Sequence, residues 1–195
     1  MKTASLTTDV SHRNSAVANA AVEVVTFWRE AGPSKWFAKD DAFDRDFRDR
    51  FLHLHEAAAR GEFAHWEQTP EGSLAVLILL DQFPRNAFRG TARMYATDAS
   101  ARSAADRAIV AGIDRQVEPQ LRTFLYIPFA HSESLADQER SVALNRTLGE
   151  DNLAHALHHY DIVLRFGRFP HRNPILGRTM HPQEQAYLDA DGYHG

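Results

Sequence analysis

Seven apolar residues in a row, Leu74-Ala-Val-Leu-Ile-Leu-Leu80, run directly into Asp-Gln-Phe-Pro-Arg-Asn at 81–86. Such a run suits a buried strand or a buried helix segment. Its left flank decides: Thr69 offers a hydroxyl at an N-cap, Pro70 fits the first helical position, and Glu71 suits the first turn. The pattern predicts a central helix over about 70–83, apolar nearly all round. Pro84 disfavours the helical region for Phe83 and is expected to end it. Beyond it stand Arg85, Arg89 and Arg93 with Asn86, and no acid lies between Asp81 and Asp98. A buried helix delivering that much unmatched positive charge to one loop makes either a binding site or a structural clamp.

The flanking segments read as helices too. Ala21, Val24, Val25 and Trp28 share one stripe of a predicted helix over 16–30, closed by Gly32-Pro33, and Trp36-Phe37 follow as a hydrophobic plug. Asp40 or Asp41 opens a helix carrying Phe43, Phe47, Phe51, Leu54 and Ala58 at helical spacing, which Gly61 stops. Its other side, Asp44, Arg45, Arg48 and Asp49, is expected to be a solvated charge face. Asp98 is expected to cap a fourth long helix whose small seam, Ala101, Ala104, Ala105 and Ala108, allows close helix packing. Glu118-Pro119 starts a shorter helix expected to stop near Pro128. Further helices are predicted over about 134–148, 151–166 and 182–188, with Gly149 and Gly167 as punctuation. The helix over 151–166 shows two apolar sides and is expected to be sandwiched, with its histidines partly buried. No segment alternates with period two, so the chain is read as all-α, with about seven to nine helices.

Composition narrows the class. The 195 residues carry a net charge of −4, which gives no global basic field for nucleic acid. There is no cysteine, which removes disulfides and cysteine-ligated zinc and fits a cytoplasmic location. The N-terminus is polar, and the apolar stretch after it is broken by Asn19 and Glu23, so neither a signal peptide nor a membrane span is expected. Residues 1–14 are expected to form a disordered tail, and 15–195 a single helical domain.

One internal echo stands out. Phe83-Pro84-Arg85-Asn86 recurs as Phe169-Pro170-His171-Arg172-Asn173, each time at the exit of a buried helix, and the second copy also lies in an acid-free window, between Asp161 and Glu184. If the two exits share one side of the molecule, their arginines meet, with Asp81, Asp98 and Glu133 available to hold them apart. Asp81 is the residue expected to clamp an arginine of the other loop.

LLDQFPRNAFRGTARMYATD (79–98), YIPFAHSE (126–133) and RFGRFPHRNPILGR (165–178), with FW at 27–28 and WF at 36–37, give the chain its likeness. It resembles a bacterial family of proteins classed as a domain of unknown function. That resemblance spans about Val24 to Leu188 and implies stacked antiparallel helical hairpins of the tetratricopeptide-like kind. It implies no activity. Where the family usually carries Ser or Thr before Pro182, this chain has His181, which is expected to weaken the cap of the last helix.

The residues with chemistry to offer are Asp81, Gln82, Arg85, Asn86, Arg89, Arg165, Arg168, His171, Arg172 and Asn173. Planar guanidinium forks and amides suit phosphate, sulfate or carboxylate, which points to a small anion or an acidic peptide group as ligand. The competing reading has the same arginines satisfying helix C-terminal carbonyls and pairing with nearby acids. An enzyme acting on an anionic substrate is the alternative function, with His131, Glu133, His171 or His159 moving protons. Asp151, His155 and His159 stand at i, i+4, i+8 and offer a metal stripe, although Ile162 and Phe166 continue it as core; no cofactor is assigned. His53 and His55, two apart on a helix, cannot share a face and are set aside. The sequence holds no Gly-rich phosphate loop, HExxH or GxSxG.

Overall fold

The computed structural model describes residues 20–195, and among these every regular element is helical. The expected tail at 1–14 lies outside the described residues. Helix α1 covers 20–31; α2, Pro33–Trp36; α3, Asp41–Ala59; α4, Pro70–Leu77; α5, Phe83–Ala87; α6, Asp98–Val110; α7, Pro119–Ala130; α8, Leu135–Asn145; α9, Glu150–Phe166; and α10, Pro182–Asp189. From α6 to α9 each helix packs against the next, an order compatible with stacked hairpins.

Every residue of the apolar run from Leu74 to Leu80 is buried, as its lack of a polar face requires. Around it close Trp28, Phe47, Phe51, Phe83 and Phe124, all fully buried. The capping chemistry at the helix starts is as expected at two places: Asp40 accepts from the Ala42 and Phe43 amides, and Thr69 from the Gly72 amide. The plug is divided. Trp36 is buried and stacks on Trp28, whereas Phe37 is exposed.

Pro84 does not end the central helix. The chain passes through a π-turn at Ile78–Gln82, where the Phe83 amide donates to the Ile78 carbonyl, and continues into α5 with Pro84 in its first turn. The wider turn and the missing proline N–H leave carbonyls without their usual helical donors. Side chains supply them: His55 Nδ1 bonds the Leu79 carbonyl at 2.8 Å, Thr97 Oγ1 the Leu80 carbonyl at 2.5 Å, and Arg85 Nη1 the Asp81 carbonyl at 2.8 Å. Arg85 and Asn86 therefore sit on a helical turn and not in a loop. His55, dismissed from the sequence, is a fixed part of this turn.

Other boundaries differ in small, explicable ways. The cap of α6 is Thr97, not Asp98; Asp98 lies in the first turn with its carboxylate turned to arginines. Pro128 lies inside α7, which runs on to Ala130. Asp44 leaves the solvated face of α3 to bond Asn86 and Arg89. Helix α9 buries one face only, through Ala156, Ile162 and Val163, while Leu157 and Leu164 are 46% and 55% exposed. It is an outer helix, not a sandwiched one. The cap before Pro182 is rescued by Glu184, whose carboxylate accepts from the His181 amide at 2.8 Å.

Thr97→Val keeps the shape at 97 but leaves the buried Leu80 carbonyl without its donor. A loss of about 1–3 kcal/mol is expected, read by urea unfolding; an unchanged midpoint would show that this bond does not hold the π-turn.

Candidate functional site

The π-turn aims Asp81 inward, where its side chain is 1% exposed. One carboxylate oxygen, Oδ1, meets His131 Nδ1 at 2.9 Å and Arg85 Nη1 at 3.2 Å; the other accepts from Gln82 Nε2 at 2.7 Å. Burial works against this charge, but Arg85, His131 and Gln82 together hold the carboxyl below the usual carboxylate range. The neighbouring imidazole responds the other way: burial and then the Arg85 charge hold His131 in its neutral form, with Asp81 offsetting part of the push. Since Asp81 is an acceptor, the imidazole proton sits on Nδ1 and the lone pair on Nε2.

Arg85 links this pair to the second copy of the echo. Its Nη1 also meets Asp98 Oδ1 at 2.9 Å, and Arg172 Nη1 stands 3.7 Å from Asp98 Oδ2. The two helix exits thus converge on Asp98. Asp98, not Asp81, bridges them. Arg172 is buried, donates from Nη2 to the His131 carbonyl at 3.0 Å, and lies between the rings of Tyr95 and Phe169, each 4.5 Å from its Cζ. Such cation–π contacts favour a desolvated guanidinium without neutralising it. Glu133 accepts from Arg178 Nη1 at 2.8 Å and from the Phe169 amide at 2.9 Å. Burial raises its pKa, but these two donors hold it below its ordinary value.

Three imidazoles face this cluster. His159 lies against His131, with ring centroids 6.5 Å apart, and His171 against Phe169 at 5.7 Å. Burial, then His131, His158 and Arg172, push His159 down to about 4 despite its bond to the His155 carbonyl. Burial and then the Arg172 charge push His171 down to about 3. Tyr193, from the segment after α10, packs edge-on against His159 at 4.8 Å and His171 at 5.1 Å. Asp191, at a φ of 62°, turns the chain to bring it there.

Several residues singled out in the sequence serve elsewhere. Asn86 and Arg89 bond Asp44 on α3. Arg168 forks onto Glu184 and also donates to the Thr179 carbonyl, and Asn173 joins it on Glu184 at 3.1 Å. These contacts bind α10 to the body. Arg165 is exposed and lies over Phe166 and Tyr187. Among the described residues, no three His, Asp or Glu side chains are placed to hold a metal; Asp151 and His155 are exposed, and His159 is turned to its own helix. The sequence reading missed Tyr95, Tyr193 and Arg178. Arg178 left a signal as a further arginine in the acid-free second window, and Tyr95 lies inside the motif stretch 79–98; Tyr193 left none.

The model of the family described as "Bacterial protein of unknown function (DUF924)" matches residues 24–192, and the chain belongs to that family. Among solved structures it is similar to a protein of unknown function from Agrobacterium tumefaciens, 55% identical, with a TM-score of 0.87 over 89% of this chain and 98% of that one. No protein with a curated description matches. No described helix is long and apolar enough to cross a membrane.

The half-buried histidines of this cluster, uncharged at neutral pH, make stability depend on pH. His159 and His171 titrate near 4 and 3 in the fold and near 6.5 in the unfolded chain. Their contribution is complete above pH 6.5 and is lost as pH falls from there through their folded values, because the unfolded state takes up protons first. At about 1.4 kcal/mol per pH unit for each group, a loss of a few kcal/mol by pH 4 is expected in urea unfolding. His159→Phe should flatten that slope. An unchanged slope would count against the neutral state of this ring.

Proposed function

We propose that this DUF924 protein binds a small oxyanion, a carboxylate or phosphate group, between Arg85, Arg172 and the imidazoles of His131, His159 and His171. The observation that carries this reading is the placement of Arg172, buried with its Nε lacking a hydrogen-bond partner. It is buried, yet its nearest acid is Asp98, 3.7 Å away and already engaged by Arg85. Burial and the Arg85 charge weaken its hold on its proton, and its field helps to keep His171 and His159 uncharged. Arg172 Nε and Arg85 Nη2 are buried without a hydrogen-bond partner. An oxyanion here supplies the missing acceptor and the missing charge together.

The same electrostatics predict linkage to protons. A negative group beside Arg172 raises the pKa of every facing histidine, so binding takes up protons and tightens as pH falls from 7 towards 5. An acidic peptide terminus would satisfy the same donors, and short carboxylates and inorganic phosphate are the simplest probes.

Thermal unfolding should rise with phosphate or citrate in the wild-type protein, by an amount that grows below pH 7. At one hundred times the dissociation constant the gain is about 2.7 kcal/mol. Arg172→Gln should abolish the ligand-induced rise, whatever it does to the starting temperature, and Arg165→Ala should leave the rise intact. An equal rise in Arg172→Gln would overturn the reading.

A further inference from the structure

We infer that the protein has a second binding site, for a small neutral aromatic molecule that carries a hydroxyl group. It lies in a cavity of about 310 Å³ between the end of α3, the link to α4 and the start of α6. Small-molecule sites begin at about 300 Å³. Leu80 lines this cavity, while the next residue, Asp81, faces Arg85 and His131, so the two sites meet the π-turn from different sides. The inference does not depend on the oxyanion reading.

The cavity exists because small residues stand where three elements meet. Ala58 and Ala59 end α3, Gly61 turns the chain at a φ of 77°, and Ala99 stands in the first turn of α6. Their side chains are too short to close the gap. Val76 and Leu80 give it an apolar floor. An ion pair fixes one wall: Arg107 forks onto Glu67, Nε to Oε2 at 2.6 Å and Nη2 to Oε1 at 2.8 Å. Ser100, Ser103 and Arg107 are exposed, so the polar groups at the mouth are open to solvent.

The lining decides the chemistry of the ligand. Phe63, whose ring stacks on Trp66 with centroids 3.9 Å apart, adds an aromatic wall to the apolar floor, which favours a flat apolar body. An apolar cavity of about 150 Å³ holds one benzene, so this one has room for about two fused rings. The charges of Arg107 and Glu67 already match each other. A charged ligand would give up its hydration here with no free partner, so a neutral one is preferred. The hydroxyl follows from two serines. Ser100 and Ser103, three apart on α6, share one face. Ser103 Oγ donates to the Ala99 carbonyl at 3.0 Å, which leaves it an acceptor for the ligand; the Ser100 hydroxyl, with no intramolecular bond among the described residues, can donate. A hydroxyl group donates and accepts at once and can bridge the two.

Titration calorimetry of the full chain with 2-naphthol tests this. Saturable binding at one site per chain is expected, and saturating phosphate should leave its affinity unchanged. Naphthalene-2-carboxylate should bind at least about tenfold more weakly, its charge lying beside Glu67. Ser100→Ala combined with Ser103→Ala should weaken 2-naphthol about fivefold, the worth of one hydrogen bond. Ala99→Phe, at an exposed position, should fill the cavity and abolish binding, with circular dichroism showing that the fold is kept. Absence of saturable binding, or binding unchanged in Ala99→Phe, overturns the inference. Equal affinity for the carboxylate overturns the neutral ligand, and unchanged affinity in the serine variant overturns the hydroxyl. Displacement by phosphate overturns the separate site and leaves the oxyanion reading standing.

Discussion

A carboxylate with 1% exposure is the constraint on which this molecule turns. Taking a charge out of water costs several kcal/mol unless geometry and hydrogen bonds repay it. Asp81 is repaid from three elements: Gln82 beside it on the π-turn, Arg85 on α5, and His131 at the end of α7. None can be removed without leaving a buried charge short of a partner. The π-turn, the continuation of the helix through Pro84, and the approach of α7 are thus tied to one another. His55 and Thr97 serve the same turn from α3 and from the start of α6, by bonding the carbonyls that the turn releases.

Asp98 extends this network to the second half of the chain. Both copies of the Phe-Pro motif fold as a short helical turn with proline at its start, and each buries its phenylalanine completely. The arginine of each copy reaches Asp98, and the asparagine of each ties to an acid on another helix, Asp44 for Asn86 and Glu184 for Asn173. The echo in sequence is therefore an echo in construction. A rigid proline-initiated turn presents an arginine inward, while phenylalanine and asparagine anchor it on either side.

Much of the fold was legible because it follows from local chemistry. The apolar run from 74 to 80, the caps at Asp40 and Thr69, and the left-handed Gly167 after α9 are short-range signals, and each acts where it stands. Pro84 and Pro128 were misleading for a physical reason. At Pro84 the abandoned Leu80 carbonyl finds another donor in Thr97, 17 residues further on, and the wider π-turn makes room for the ring. No local window contains that information. The breadth of α9 was misread because its apolar residues were assumed to be covered, yet Leu157 and Leu164 face outward. The candidate site was legible at Asp81, Arg85, His131 and Arg172, which lie in motifs. It was not legible at Tyr95, which shares a motif with Asp81 and Arg85 but carries no charge to single it out, or at Tyr193, which lies in none; both become relevant through contacts made across the fold.

The arginine surplus of the two acid-free windows largely disappears in three dimensions. Arg89 finds Asp44, Arg93 finds Glu56, Arg168 finds Glu184 and Arg178 finds Glu133, each acid lying outside the window of its arginine. Arg85 has two acids, Asp81 and Asp98. Arg165 is exposed and lies over Phe166 and Tyr187. Subtracting these pairs leaves Arg172: buried, held between two aromatic rings, bonded to a neutral carbonyl, and sharing its ion-pair partner Asp98 with Arg85. A buried guanidinium cannot shed its charge at any ordinary pH. Its surroundings must therefore accommodate that charge, and the neutral state of His159 and His171 is part of the accommodation. The candidate site is thus marked less by where arginines gather in the sequence than by which one the folded chain leaves incompletely matched.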